Sequence, residues 1–259
     1  MNIQECDILN AIFTTTNPTQ RSLADCSGHS LGIVNRSIKK LTSDGYLTTT
    51  MQPTDKAIAL YKHSVPQNAI ILAAGFGMRM VPINTETPKG LLEIHGEALI
   101  ERIISQLHEA NIHNIYIVVG FMKEQYEYLI DEYGVTLIVN TDYASKNNLH
   151  SLNLASGYLK NSYIIPCDIW CKDNPFHTHE LYSWYMVSDA QTTESSVRVN
   201  RKMELTAISK TAVGNAMIGI SYLSENDSSY IQQRLSSLDD DARYDGAFWE
   251  EALYDHDRM

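Results

Sequence analysis

The chain has 259 residues, 44% of them apolar and 20% charged, a composition that supports a packed core and excludes global disorder. Its formal charge of −11 argues against a surface that grips nucleic acid throughout, and no apolar run reaches the roughly 18 residues that mark a membrane span. Cys6, Cys26, Cys167 and Cys171 form no CxxC pair and the first residues carry no secretory signal, so the sequence predicts a soluble, cytoplasmic protein with reduced thiols and no zinc cluster.

The length favours two unequal domains, and charge separates them. Residues 1–66 hold six Lys/Arg and five Asp/Glu, residues 67–259 fourteen and twenty-six, or +1 against −12. The shift falls at His63-Ser64-Val65-Pro66-Gln67, a polar stretch whose proline suits a linker, and the boundary is set there. In the first segment Ile3, Ile8, Leu9, Ile12 and Phe13 recur at helical spacing until Asn17-Pro18-Thr19 breaks the pattern. A second helix follows at 19–26, then a tight turn at Gly28. Ser30 caps a third helix with Leu31, Val34, Ile38 and Leu41 on its apolar face and Asn35, Arg36, Lys39 and Lys40 projecting. After Gly45, Tyr46-Leu47-Thr48-Thr49-Thr50 and residues 56–61 read as the strands of a small hairpin around Pro53. Three helices and a hairpin resemble the winged helix-turn-helix of many bacterial regulators. Two readings stand: DNA recognition by the third helix, or a packing or dimerisation module attached to an enzyme. A net charge of +1 makes DNA binding the less favoured.

The second segment opens with Asn68-Ala69-Ile70-Ile71-Leu72-Ala73-Ala74-Gly75, too short for a helix and apolar on both faces, as a buried parallel strand is. Further apolar runs at 115–119, 135–139 and 163–166 alternate with helical patterns at 99–110, 123–133 and 149–159. This order predicts an α/β fold, a Rossmann-like, doubly wound sheet with helices on both faces. In such a sheet the ligand sits beyond the strand carboxyl ends, where Gly75, Gly120 and Asp168 fall. Gly75-Phe76-Gly77-Met78-Arg79 lets backbone approach phosphates closely. It is neither the G-x-G-x-x-G fingerprint nor a Walker loop. Thr87-Pro88-Lys89-Gly90 then places a lysine behind a stiffening proline, suited to a triphosphate.

Together, Ile71-Leu72-Ala73-Ala74-Gly75-Phe76-Gly77-Met78-Arg79 and Pro88-Lys89 resemble the L-A-A-G-x-G-x-R…P-K signature of the sugar-phosphate nucleotidyltransferase superfamily. Val118-Val119-Gly120-Phe121-Met122 and Asn140-Thr141-Asp142-Tyr143, with Asn147-Asn148-Leu149-His150-Ser151, are most similar to its bacterial choline-phosphate cytidylyltransferases of the lic pathway. Some of those proteins also carry an N-terminal winged helix and a C-terminal kinase-like domain. The resemblance implies Mg²⁺-dependent transfer of CMP from CTP to a small phosphorylated amine, with pyrophosphate released. By resemblance, Arg79 and Lys89 hold phosphates and Asp168 binds magnesium. Leu72, Ala73, Gly75 and Gly77 meet base and ribose through backbone, and Gly120, Asn147, Asn148 and Ser151 are further nucleotide candidates. Asn147 and Asn148 read equally well as a turn and helix cap. Cys167 and Cys171 read as structural thiols, His177 and His179 as exposed loop residues.

The pattern departs from the family in two places. Where choline relatives carry Asn-Glu-Trp, this chain has Thr193-Glu194-Ser195. That leaves Glu194 as an ammonium partner without its tryptophan, with Trp170, Tyr182, Trp184, Tyr185 and Trp249 as sources of another aromatic box. 2-Aminoethylphosphonate, or a sugar phosphate, is therefore an alternative acceptor, and a nucleotide-sensing DNA-binding regulator is the alternative of another class. The eight acids from Asp239 onward read as a solvated helix and tail. Relatives continue to a Glu-x-Asp-Ser type motif that completes the metal site, so the sequence reads as truncated there and poorly active.

Overall fold

Asn2 begins the first helix by accepting the Glu5 N–H at 2.9 Å while the Glu5 carboxylate accepts the Asn2 N–H, a reciprocal cap that fixes α1 at Ile3–Thr14. Thr19 and Ser22 repeat the device at α2, Gln20–Ser27, which ends on Gly28 at φ 70°. Ser30 caps α3, Leu31–Ser43. Ile8, Leu9, Leu23, Val34 and Leu41 are fully buried between these helices. In a computed structural model that describes residues 1–77, 86–195, 197–200, 203–209 and 212–254, the chain divides into two compact units. One is Met1–Val65 with His179–Tyr182, the other the remainder.

The expected hairpin is corrected in the first unit. Tyr46-Leu47-Thr48-Thr49-Thr50 forms no extended strand: a single bridge joins Leu47 to Pro53. Residues 56–61 lie in α4, Asp55–His63. Thr54 accepts the Ala57 N–H as N-cap, Asp55 sits in the first turn and Lys62 in the last, so capping and the helix dipole outweigh the β-propensity of Ile58 and Tyr61. His179, expected as an exposed loop histidine, is half-buried and stacks on Tyr61 with ring centroids 3.9 Å apart. Burial lowers its pKa.

The second unit starts with β1, Asn68–Ala73, then a short β2 at Glu93–Ile94 and β3 at Glu97–Ala98. α5, Leu99–Glu109, leads to β4, Asn114–Val119; α6, Tyr128–Tyr133, to β5, Thr136–Val139; and α7, Asn148–Leu154, to β6, Ser162–Pro166. β7 is Trp184–Thr192, β8 Val197–Val199, β9 Leu205–Ala207, β10 Gly214–Leu223 and α8 Glu225–Asp239. The main sheet runs β5-β4-β1-β6-β10-β7. Its first four strands are parallel, and β10 runs antiparallel to both neighbours, which makes the sheet mixed.

β1 is apolar throughout because both its faces are covered. Ala69, Ile71 and Ala73 enter the core with Ile100, Ile104 and Leu107 of α5. Ile70 packs with Leu149 and Leu152 of α7 and Ile231 and Leu235 of α8. Chain reversal at β1 puts β4 on one side and β6 on the other, so the loops after all three open on one edge, the crevice at which doubly wound sheets bind ligands.

Candidate functional site

At that edge the chain leaves β1 through Ala74 and Gly75. Gly75 is exposed and a Cβ there would meet nothing within 4 Å, while Gly77 adopts φ 68°, a conformation glycine favours. Leu72 is half-buried and its carbonyl accepts the Cys167 N–H at 3.3 Å; Ala73 is buried. Gly120, one residue past β4, has no room for a side chain: a Cβ would lie 2.7 Å from Tyr143 Cβ and 2.9 Å from the Ala74 oxygen. That approach lets Phe121 donate its N–H to Ala74 at 3.0 Å and set its ring edge-on against Phe76, centroids 4.4 Å apart. Arg79 lies outside the described residues.

Lys89 and Asp168 meet. Pro88 enters a short 3₁₀ turn, Lys89–Leu91, whose Gly90 is buried where a Cβ would press on the Tyr126 hydroxyl at 3.1 Å and Cys167 Cβ at 3.2 Å. Packing Gly90 against Cys167 brings the preceding lysine to the following aspartate. Lys89 Nζ donates to an Asp168 carboxyl oxygen at 2.9 Å, with the side chains 21% and 35% exposed. A cation and a hard oxygen ligand thus stand together at the carboxyl end of β6, the neighbour of β1 in the sheet. Cys167 itself is buried, which pushes its thiol up to about 12 and makes it inert.

The asparagines act in local structure. Asn147 caps α7 by accepting the Asn148 N–H at 2.8 Å and donates to the Gly246 carbonyl at 3.1 Å, while Asn148 Oδ1 accepts the Trp249 backbone N–H at 2.8 Å. Both therefore hold residues 245–249 against the start of α7. Ser151 is buried and accepts a hydrogen bond from Asn140 at 3.0 Å. Glu194 is exposed just past β7, a strand that overshoots the end of β6.

The acidic final segment is not uniformly solvated, contrary to the sequence expectation. Asp239 receives His150 Nδ1 at 2.8 Å, Asn153 at 2.8 Å and Lys146 at 3.0 Å, fastening α8 to α7. Burial raises its pKa, and the three donors together bring it below the usual carboxylate value. Glu250, in the 3₁₀ turn Trp249–Leu253, is 5% exposed. It accepts the Tyr185 hydroxyl at 2.7 Å through Oε1, and its buried Oε2 has no partner among the described residues. Burial pushes this carboxyl up to about 7. The Tyr185 and Trp249 rings lie 5.9 Å apart, and the Tyr185 hydroxyl stands 3.8 Å from the Cβ position of Gly219, which itself crowds Pro166 at the end of β6. The sequence named Tyr185 and Trp249 as sources of an aromatic box but did not pair them with Glu250, because that acid sits in an acidic run. The other aromatics disperse. Trp170 packs near Arg102 and His95, Tyr182 donates to Asp7, and Trp184 meets Tyr163.

A model of the MobA-like NTP transferase domain matches residues 69–200, which takes in the glycine loop, Lys89 and Asp168. The chain belongs to that family. It is 44% identical over 118 residues to choline-phosphate cytidylyltransferase of Haemophilus influenzae, covering 46% of this chain and 51% of the relative. It is 31% identical over 204 residues to 2-aminoethylphosphonate cytidylyltransferase of Lancefieldella rimae, covering 73% and 80%. The chain thus spans about half the length of the choline-phosphate relative. The solved CTP:phosphocholine cytidylyltransferase of Streptococcus pneumoniae superposes with a TM-score of 0.68 at 31% identity, covering 74% of this chain and 86% of that one. The mixed NTP transferase sheet is therefore shared with a solved relative.

Among the described residues no group of three His, Cys, Asp or Glu side chains is arranged to hold a metal ion, and no helix is long and apolar enough to cross a membrane. The donor chemistry fits magnesium to the extent of one carboxylate, Asp168, since that ion often takes one or two carboxylates and fills its shell with water and substrate phosphate.

Proposed function

We propose that this NTP transferase moves CMP from CTP to the phosphate or phosphonate of a small amine-bearing acceptor, with phosphocholine and 2-aminoethylphosphonate as the two chemistries tested first. The observation that carries the reading is the Lys89–Asp168 pair, 2.9 Å apart after β6, the strand that neighbours β1 and the exposed Gly75 beyond it. An acceptor oxygen attacks the α-phosphorus of CTP; the new P–O bond forms as the bond to the β-phosphate oxygen breaks, and pyrophosphate leaves. Such displacements depend mainly on alignment and charge neutralisation. Lys89 supplies a cation for the triphosphate, and Gly75, where a Cβ would meet nothing within 4 Å, lets backbone approach the nucleotide. Asp168 would hold magnesium, which when bound neutralises phosphate charge. A CTP-dependent reaction on a small metabolite suits a cytoplasmic enzyme.

For the amine end the candidate is Glu250, a buried carboxyl held by the Tyr185 hydroxyl with its other oxygen unpartnered among the described residues, the Trp249 ring lying 5.9 Å from that of Tyr185. An ammonium gains from both a carboxylate and aromatic faces. The names of two relatives, one for choline phosphate and one for 2-aminoethylphosphonate, are consistent with an amine-bearing acceptor. The test is pyrophosphate release with Mg²⁺ from CTP, UTP, ATP and GTP, each paired with phosphocholine, 2-aminoethylphosphonate and glucose 1-phosphate. Release from CTP with an amine acceptor is expected. Release from all four nucleotides alike, or only with the sugar phosphate, would overturn the reading.

A further inference from the structure

Both members of the Lys89–Asp168 pair are tied to one helix, α5. After Lys89, the Leu92 carbonyl accepts the Leu99 N–H at 3.1 Å where the helix begins, and Leu91 packs on the core that Ile100 and Ile103 enter. After Asp168, the Cys171 carbonyl accepts Arg102 Nε at 2.7 Å and Gln106 Nε2 at 3.1 Å. Arg102 and Gln106 are one turn apart on the same helix face. The third residue beyond each member of the pair is thus bonded to α5.

The two ties hold different things. The lysine sits in a short turn whose Gly90 is packed on Cys167 and Tyr126. The aspartate opens a stretch, residues 168–178, that forms no helix or strand, so its carbonyls lack a ladder and take side-chain donors instead. Arg102 serves three residues in a row. Besides bonding Cys171, it donates Nη2 to the Lys172 carbonyl at 2.6 Å, and its guanidinium lies over the Trp170 ring, 5.0 Å from the centroid. Its remaining nitrogen, Nη1, meets Glu97 Oε2 on β3 at 3.3 Å. A single side chain therefore grips the loop that follows Asp168 and is itself braced from the hairpin that follows Lys89.

We propose that Arg102 is a positioning residue for nucleotidyl transfer, acting through Trp170, Cys171 and Lys172 to keep Asp168 against Lys89. The inference rests on the part that the pair plays in the proposed reaction. A guanidinium suits the task because its planar fork donates in fixed directions to two carbonyls at once, whereas an ammonium is a point charge on a flexible stem. Without Arg102 the loop keeps its other anchors, Gln106 on Cys171 and Asn174, which donates to the Gln106 carbonyl at 2.7 Å and to Glu109 at 3.0 Å. Those anchors hold the loop in place but leave Trp170 and Lys172 unheld on either side of Cys171. A catalytic group misplaced by about 1 Å loses on the order of a hundredfold in rate.

The test compares wild type with Arg102→Lys, Arg102→Met and Asn174→Ala in the full chain by two readouts. The first needs no turnover: the rate at which an amine-acetylating reagent modifies Lys89, followed by peptide mass spectrometry. Lys89 is 21% exposed and must leave Asp168 before it is acylated. Acetylation faster by about threefold or more is expected in both Arg102 variants, moving toward the rate of Asp168→Asn. Asn174→Ala should keep the wild-type rate. The second readout is pyrophosphate release from CTP with Mg²⁺ and an amine-bearing acceptor. Arg102→Lys should lower kcat about tenfold and leave KM for CTP within about threefold, because the lysine turn keeps its own supports. Asn174→Ala should keep kcat even where its melting temperature falls, which separates positioning from support of the fold. Should Arg102→Met fail to fold, Arg102→Lys decides. Lys89 modified at the wild-type rate in Arg102→Lys, equal acceleration by Asn174→Ala, or unchanged kcat in Arg102→Lys would each overturn the proposal. Faster Lys89 acetylation in the Arg102 variants of a protein that releases no pyrophosphate from any nucleotide would uphold the grip of Arg102 on the pair and overturn the transferase reading alone.

Discussion

Lys89 and Asp168 hold each other at 2.9 Å while partly open to solvent, and an ion pair of that exposure contributes only about 0–1 kcal/mol to folding. Their value lies in the reaction. Lys89→Ala and Asp168→Asn are each expected to lower kcat/KM by about two decades, close to 3 kcal/mol of lost transition-state stabilisation. The melting temperature should barely move. Near wild-type turnover in either variant would remove that residue from the reaction. Glu250 obeys the opposite logic. Its carboxyl titrates at about 7 when folded, against an ordinary value of 4.5, so the folded state binds the proton more tightly. Its contribution is fully present below pH 4.5 and is lost as pH rises through about 7, an effect of about 3 kcal/mol. Wild type should therefore lose stability relative to Glu250→Gln between pH 4.5 and pH 8, as read by paired denaturant titrations. A pH-independent difference would mean that Glu250 is ionised throughout. The lysine and aspartate were legible in the sequence because each follows a punctuating element, a proline or a strand. Glu250 was not, because burial of one acid among eight leaves no mark on spacing.

At the scale of elements, the close approach at Gly120 joins β1 to β4. Gly120→Ala would force a Cβ to within 2.9 Å of the Ala74 backbone oxygen, and overpacking of this kind costs about 1–3 kcal/mol. A fall of several degrees in melting temperature is expected, together with weaker CTP binding, because Ala74 precedes the glycine loop. An unchanged melting temperature would show that the loop yields freely. The parallel strands were readable as apolar runs since helices cover both their faces. β7 and β10 were not foreseen: their pairing shifts register between Asn215 and Met217 and again before Ser221, and such irregularity breaks the alternation that marks a strand. Residues 56–61 misled because Ile58, Leu60 and Tyr61 suit either structure. The cap at Thr54 decided for the helix.

For the whole molecule, the sequence carried the order of the four parallel strands and the helices between them, and with it the edge where their loops meet. It could not carry the return of residues 179–182 to the first unit, where Leu181 packs on the helical core and Tyr182 donates to Asp7. That hydrogen bond joins positions 175 residues apart through no local pattern. Among the described residues, the carboxyl edge of the NTP transferase sheet thus carries Lys89, Asp168 and the exposed Gly75. The measurement that tests this most directly is mass spectrometry of the product after the full chain is incubated with CTP, Mg²⁺ and either phosphocholine or 2-aminoethylphosphonate, beside Lys89→Ala. A cytidylylated acceptor formed by wild type and depleted about a hundredfold in the variant is predicted. No such product with either acceptor, or equal product from the variant, would contradict the account.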